Sequence, residues 1–411
     1  MKINKHCFPN GLRLVHYEDT STQMVALNIV YDVGARAEHP EHTGFAHLFE
    51  HLMFGGSAHI PDYDTPLQLA GGENNAWTNN DITNYYLTVP KPNVETAFWL
   101  ESDRMLELAF SEQSLEVQRG VVMEEFKQRC LNQPYGDVGH LFRPLAFRVH
   151  PYRWPTIGKE LSHIEQATLD EVKSFFYRFY APNNAVLAVT GNISWDETVK
   201  LTEKWFAPIP RRDVPVRQLP QEPEQTQERR LTVERNVPLD ALFMGYHMCS
   251  REGADYYAFD ILSDILSNGR SSRLNRRLVQ EQNIFSGIDA YISGTRDAGL
   301  LQISGKPAAG VSLEQAEAAV RKELEELQRS PVDGQELEKV KNKFESTQIF
   351  GNINYLNVAT NLAWFELTGK AEDIDLEVER YRSVTTEQLH TVAQRTFCES
   401  NAVVLYYKSD K

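Results

Sequence analysis

The chain has 411 residues, of which 41% are apolar and 24% are charged, as expected for a soluble globular protein of two or three domains. Its formal net charge of -15 argues against a nucleic-acid partner, because phosphates would repel it everywhere except at a local basic patch. No apolar run approaches the roughly twenty residues that a membrane span requires, so the sequence predicts no membrane span.

The four cysteines are widely spaced and form no C-x-x-C pair; they are Cys7, Cys130, Cys249 and Cys398. This spacing predicts free thiols in a reducing compartment, so we expect a cytoplasmic protein. The first nine residues lack the apolar core of a signal peptide. A mature periplasmic protein from which a signal peptide has been removed would have the same features.

The first elements in chain order are two β-rich runs at 11–16 and 24–33, which a polar turn separates. We expect them to form adjacent strands of one sheet. A polar loop at 34–43 leads from the second run into an apolar segment.

The apolar segment, 44–54, is organised around His47, Glu50 and His51. Its other residues are apolar or small, and none is proline or β-branched, so the segment predicts a buried helix. On a helix the two histidines share one face, and the carboxylate of Glu50 lies beside them. The pair of glycines that follows is typical of a helix end.

The three polar residues of this helix predict a metal site. A pair of core histidines bonded to backbone carbonyls is the structural alternative. However, burial of three titratable groups is costly unless a partner compensates for it, and a divalent metal is such a partner. The pattern H-x-x-E-H is moreover the inverted zinc motif of one class of metallopeptidases.

The remainder of the first half alternates between strand and helix patterns. Two strand-like pieces within 71–90 flank an Asn-Asn-Asp turn, which predicts a hairpin. The other predicted elements are helices at 94–110, 111–129, 168–180 and 196–206, a surface loop at 132–137 and a strand at 185–190.

The second half of the chain repeats the first weakly. Asn184 and Asn401 begin similar segments 217 residues apart, and a stretch rich in proline and glutamine lies between the halves. We therefore predict an N-terminal domain at 1–212, a linker at 213–230 and a C-terminal domain at 231–411.

The predicted helix at 256–267 would take the place of the helix that carries the H-x-x-E-H motif. It has Asp260, Ser263 and Asp264 at the positions of the three motif residues. We therefore expect only the first half to hold a metal.

A catalytic zinc site uses about three protein ligands and one water, so a third ligand must come from another element, most simply an acid on a neighbouring helix. The segment 116–127 offers two adjacent acids, Glu124 and Glu125, inside an apolar run. We expect at least one of them to point inward.

Taken together, these motifs resemble the pitrilysin/insulinase family of zinc peptidases in its short form, similar to the β subunit of mitochondrial processing peptidase and related bacterial enzymes. The resemblance covers nearly the whole chain. It implies an α+β fold of two structurally similar domains, each a mostly antiparallel mixed sheet packed by helices, as in the mitochondrial processing peptidase-like metallohydrolases.

The resemblance also implies a zinc-dependent endopeptidase with Zn2+ as its cofactor. The zinc ligands are then His47, His51 and Glu125, with Glu124 as the alternative third ligand. Glu50 is the general base that takes a proton from the attacking water.

In the family, the strand that matches Asn75, Ala76, Trp77 and Thr78 is an exposed sheet edge beside the metal. The resemblance therefore implies that peptide substrates bind there by strand addition, mainly through their backbone. The alternative is an ordinary strand near a turn, with Trp77 in the core.

Two departures from the family pattern bear on function. Gln118 stands where a second glutamate is usual, and Val279 and Ser286 stand where active members carry an arginine and a tyrosine. We therefore expect a homologous subunit to supply the Arg/Tyr pair in a heterodimer, with a homodimer as the alternative.

A second candidate function is that of a non-catalytic core or scaffold subunit of a larger complex.

Overall fold

The computed structural model describes residues 1–410. The strands of this part of the chain are β1 (Ile3–Cys7), β2 (Arg13–Glu18), β3 (Met24–Tyr31), β4 (Glu73–Thr78), β5 (Thr83–Pro90), β6 (Ala185–Gly191), β7 (Arg229–Arg235), β8 (Ala241–His247), β9 (Phe285–Ile292), β10 (Leu300–Pro307) and β11 (Ala402–Ser409). Its α-helices are α1 (Phe45–Leu52), α2 (Asp64–Leu69), α3 (Val94–Leu106), α4 (Glu112–Phe126), α5 (Val138–Ala146), α6 (Leu161–Glu165), α7 (Leu169–Phe179), α8 (Trp195–Trp205), α9 (Tyr256–Ser267), α10 (Leu313–Arg329), α11 (Gly334–Gly351), α12 (Tyr355–Thr368), α13 (Glu377–Ser383) and α14 (Thr386–Thr396).

The chain forms two compact units, and neither is continuous in sequence. The first contains Met1–Arg129, Trp154–Leu219 and Ile349–Leu376, and the second contains the other described residues. The sequence instead predicted two continuous domains, 1–212 and 231–411, joined by a linker at 213–230. The main difference is that 130–153 joins the second unit and 349–376 joins the first.

The first unit is built on a six-stranded sheet of order β1-β2-β6-β3-β5-β4. The β2–β6 pair is parallel and the other pairs are antiparallel. The predicted hairpin is confirmed by the antiparallel β4–β5 pair. The expectation that the first two predicted strands are adjacent is wrong, because β6 lies between β2 and β3. Every residue of β6 is buried, which suits a strand at the centre of the sheet.

Helices cover both faces of this sheet. On one face, α1, α3 and α7 pack in the main hydrophobic core of the unit. On the other face, α12 buries Val358, Leu362 and Ala363 against apolar residues of β2, β3 and β6. Because the central strands are apolar on both faces, the sheet requires a helix on each side.

The second unit repeats this arrangement with a five-stranded sheet of order β7-β11-β8-β10-β9. Its single parallel pair, β7–β11, corresponds to β2–β6, and the antiparallel order β11-β8-β10-β9 corresponds to β6-β3-β5-β4. The predicted α+β fold of two similar domains is confirmed.

Helices again cover both faces of this second sheet. On one side, α9, α10 and α14 form a core with β8, β10 and β11. On the other side, Phe142 and Ala146 of α5 pack against Ala241, Val403 and Leu405. Each sheet is thus covered on one face by a helix from a segment distant in sequence, α12 in the first unit and α5 in the second.

All four cysteines are free thiols. Within residues 1–410, no helix combines the length and apolar character that crossing a membrane requires.

Candidate metal centre

Helix α1 carries the H-x-x-E-H motif and is fixed at its N-terminus by a buried acid. The helix begins after Gly44, whose φ of +87° is easily adopted only by glycine. The carboxylate of Glu38 accepts hydrogen bonds from the backbone N–H groups of Gly44 (3.0 Å) and Ala46 (2.9 Å). These bonds satisfy donors that a helix start otherwise leaves unpaired.

The apolar residues of α1 anchor the helix in the core and leave the motif at the edge of that core. Phe45, Leu48 and Phe49 are at most 3% exposed. His47 is buried, whereas Glu50 and His51 are half-buried. The three polar groups therefore face a cleft rather than the interior.

Helix α4 supplies the third side chain of the site. Leu115, Val122 and Phe126 bury one face of this helix, and Glu125 follows Val122 by three residues, so it lies close to that buried face. Its neighbour Glu124 points away, with a side chain that is 63% exposed and lies 2.6 Å from Lys127 Nζ. The structure thus brings Glu125, and not Glu124, to the motif histidines.

One carboxylate oxygen faces both histidines. Glu125 Oε2 lies 3.6 Å from His47 Nε2 and 3.3 Å from His51 Nε2, and the two imidazole rings meet edge to face. These three residues form a group whose possible ligand atoms all lie within 4.8 Å of one another. Among residues 1–410, this is the single such cluster of three or more histidine, cysteine or acidic side chains.

The spacing of these atoms suits zinc. A tetrahedral zinc with bonds of about 2.0–2.1 Å holds its ligand atoms about 3.3–3.4 Å apart. The two nitrogen–oxygen separations in the site, 3.6 and 3.3 Å, are close to that value. Two imidazoles and one carboxylate are also a donor set that zinc accepts in catalytic sites.

The protonation states suit a cation as well. Burial lowers the pKa of His47 to about 4, so its ring is neutral at pH 7. The hydrogen bond with His51 is the main reason that the pKa of Glu125 lies below its ordinary value. Burial raises the pKa of Glu50, although the Thr78 hydroxyl and the charges of His51 and Arg129 oppose that shift. The carboxyl group of Glu50 therefore accepts a proton at a pH closer to neutral than an exposed glutamate does.

A cleft of about 410 Å³ opens over these groups. It is lined by the predicted ligands, by Glu50, by Arg129, Thr156 and Ile157, and by the predicted peptide-binding residues Asn75, Ala76, Trp77 and Thr78. All members of the predicted site therefore meet in one place.

The residues predicted to bind peptide belong to β4, which ends its sheet and has one strand neighbour, β5. The N–H of Ala76 donates to the side-chain oxygen of Asn75 (2.8 Å). Trp77 is 36% exposed, so the alternative that places Trp77 in the core is wrong. An open sheet edge thus borders the cleft.

The structure also locates the departures from the family pattern. Gln118 is half-buried on α4, seven residues before Glu125. In the second unit, Val279 packs at the edge of the core, and Ser286 Oγ donates to the backbone carbonyl of Lys306 (3.1 Å). The nearby Arg277 is bound within its own unit, 2.6 Å from Glu323.

Arg129 is the site residue that the sequence analysis missed. Its NH1 lies 2.8 Å from Glu125 Oε1, on the side of the carboxylate away from the histidines. The spacing of four residues between an acid and an arginine is the signal that could have indicated this pair.

Two family models match the sequence. One, described as insulinase (peptidase family M16), covers residues 13–137 and so includes the candidate metal centre and the edge strand. The other, described as the peptidase M16 inactive domain, covers residues 166–344.

Individual relatives agree with these matches. The zinc protease PqqE of Helicobacter pylori is 26% identical over 405 residues, which cover 97% of this chain and 91% of that protein. A crystal structure of a protease from Helicobacter pylori covers 99% of both chains, with a TM-score of 0.94 and 26% identity. The periplasmic protease PqqL from Escherichia coli shares the fold, with a TM-score of 0.81 and 18% identity over 99% of this chain and 47% of its own.

Proposed function

The chain belongs to the insulinase family of peptidases, family M16, and on that premise we propose that it is a zinc-dependent endopeptidase. The observation that carries the proposal is the position of Glu125 Oε2 opposite the Nε2 atoms of His47 and His51. Scaffold relatives usually lose ligand residues, whereas this chain retains all three in one cluster.

In this proposal His47, His51 and Glu125 hold the zinc, and Glu50 is the general base. Zinc, when bound, lowers the pKa of a water towards about 7 and polarises the substrate carbonyl. Two neutral imidazoles and one carboxylate leave a net positive centre, which favours an ionised Glu50 close by.

Glu50 carries the proton through the reaction. Its carboxylate accepts one proton from the attacking water as the water oxygen bonds to the peptide carbonyl carbon. It then donates that proton to the nitrogen of the leaving amine as the C–N bond breaks. The raised pKa that burial produces suits this double role, because a base whose pKa lies nearer the working pH both takes and returns a proton readily.

The substrate is proposed to be an extended peptide that adds to the free edge of β4. Asn75 and Ala76 offer backbone and amide groups at that edge, and Trp77 and Thr78 line the same cleft. Recognition through the backbone predicts a broad sequence preference.

A partner chain is proposed to complete the active site. Val279 and Ser286 replace the expected Arg/Tyr pair, and Arg277 is engaged by acids of its own unit. The length of PqqL, of which this chain matches 47%, supports a pairing of two such folds. A heterodimer with a homologous subunit is the first candidate, and a homodimer is the second.

The location is proposed to be the cytoplasm, which four free thiols favour. A mature periplasmic form is the alternative.

The proposed function is tested by incubating the purified chain with an unbiased peptide mixture, alone and with a co-expressed homologue, before and after chelation. We expect internal peptide bonds to be cleaved and chelation to stop the cleavage. Full activity of the monomeric chain alone would show that no partner chain is needed to complete the active site. Absence of cleavage in every arm, together with failure to bind zinc, would favour the scaffold function.

A further inference from the structure

The two oxygens of Glu125 have different surroundings. Oε2 faces the two motif histidines, at 3.6 and 3.3 Å. Oε1 lies 2.8 Å from NH1 of Arg129, which belongs to the π-helical turn Lys127–Leu131 that continues α4. π-Helical turns are rare and often occur at functional sites.

We infer that Arg129 is a positioning residue that presents Glu125 to the zinc through a single oxygen. This inference rests on the proposed zinc site and adds a residue to it. Because the guanidinium holds Oε1, the carboxylate keeps the orientation in which Oε2 points towards His47 and His51. Groups that orient metal ligands in this way commonly contribute 10–100-fold to metal affinity.

The positive charge of Arg129 acts in the opposite direction, because it repels a bound dication. The side chain of Arg129 is 68% exposed, so water and salt screen this repulsion. The ion pair between Arg129 NH1 and Glu125 Oε1 is a local contact of 2.8 Å, and the Glu125 side chain is 18% exposed, so the positioning effect is screened less. We therefore expect positioning to dominate.

The two effects predict opposite results for removal of the guanidinium. If Arg129 positions Glu125, its loss weakens zinc binding. If it acts only as a nearby positive charge, its loss strengthens zinc binding. A lysine at this position keeps the charge but replaces the planar fork by a single ammonium, so it separates charge from geometry.

The test measures the zinc dissociation constant by chelator competition for the full-length wild type, Arg129→Met and Arg129→Lys. Lys127→Met is the matched control, since it removes one positive charge two residues away, where Lys127 pairs with Glu124. We expect Arg129→Met to bind zinc about 10–100-fold more weakly, Arg129→Lys to lose less, and Lys127→Met to match the wild type.

The melting temperature of each zinc-free variant shows whether the fold is retained. Unchanged or tighter zinc binding by Arg129→Met would overturn the inference, as would a lowered melting temperature with unchanged zinc affinity. If the wild type itself binds no zinc, both the proposed function and this inference fail. If the wild type binds zinc and Arg129→Met binds it equally well, only this inference fails.

Discussion

The carboxylate of Glu38 accepts a hydrogen bond of 2.9 Å from the backbone N–H of Ala46, the residue before the first motif histidine. A second bond, from the N–H of Gly44, reaches the other oxygen of the same carboxylate. The start of helix α1 is thus held by a side chain from the preceding loop, and burial raises the pKa of that side chain to about 8.

Replacement of Glu38 by alanine should destabilise the first unit. Two buried N–H groups would lose their acceptor, and each loss costs about 1–3 kcal/mol in the free energy of unfolding. Urea denaturation measures this change. Glu41→Ala is the control, because the Glu41 side chain is 82% exposed in the same loop. Equal stability of the two variants would show that Glu38 does not hold the helix.

Replacement of either His51 or Glu125 by alanine should reduce zinc affinity by more than about 100-fold. Loss of a group that only orients a ligand already costs about 10–100-fold, and loss of a ligand itself should cost more. Only two of the three protein ligands would remain. Glu124→Ala should bind zinc as the wild type does, because Glu124 points to solvent and pairs with Lys127. Zinc retained by Glu125→Ala and lost by Glu124→Ala would reverse the assignment of the third ligand.

The stability of the zinc-free protein should depend on pH through His47. Burial lowers the pKa of His47 from its ordinary value of 6.5 to about 4 in the folded chain. Between these pH values the unfolded chain binds a proton that the folded chain does not. The His47 contribution to stability is therefore fully present above pH 6.5 and falls with pH by at most about 1.4 kcal/mol per unit down to about pH 4.

This pH dependence can be isolated by comparing the zinc-free wild type with His47→Gln in urea denaturation at several pH values. The variant should lose less stability than the wild type between pH 6.5 and 4. Parallel curves would show that His47 is not responsible.

Asn75→Ala should impair peptide binding without affecting the metal. Loss of a hydrogen bond worth about 1 kcal/mol corresponds to a roughly fivefold decrease in kcat/KM, and we expect most of it in KM. Zinc affinity should be unchanged. Glu73→Ala, on the same strand outside the cleft lining, is the control. Equal kinetics for the two variants would argue against substrate binding at this edge.

Much of the fold could be predicted because its elements have strong periodic patterns. Helices α1 and α9 lie where the sequence predicted them, and the weak repeat that begins at Asn184 and Asn401 indicated two similar domains. Strand β1 was missed because its sequence is polar and its residues are half-buried or exposed. The sequence analysis did not anticipate the packing of α5 and α12, because each covers strands that are distant from it in sequence.

The candidate metal centre could be predicted in part, because two of its residues lie on one helix. The spacing of His47 and His51 fixes their shared face on any helix, so their proximity followed from local geometry alone. The choice between Glu124 and Glu125 depends on how α4 is rotated against α1, which local spacing does not determine. The four-residue spacing between Glu125 and Arg129 could have indicated their ion pair, but the π-helical turn that contains Arg129 has no recognisable sequence signal.

The role of Glu50 is tested most directly by measuring zinc content and peptide cleavage in parallel for the wild type and Glu50→Gln. The amide has nearly the shape of the carboxylate but cannot accept the proton from water. We predict about one zinc per chain in both proteins, cleavage by the wild type with whatever partner it requires, and no measurable turnover by Glu50→Gln. Turnover by Glu50→Gln at the wild-type rate would contradict the assignment of Glu50 as the base of a zinc peptidase.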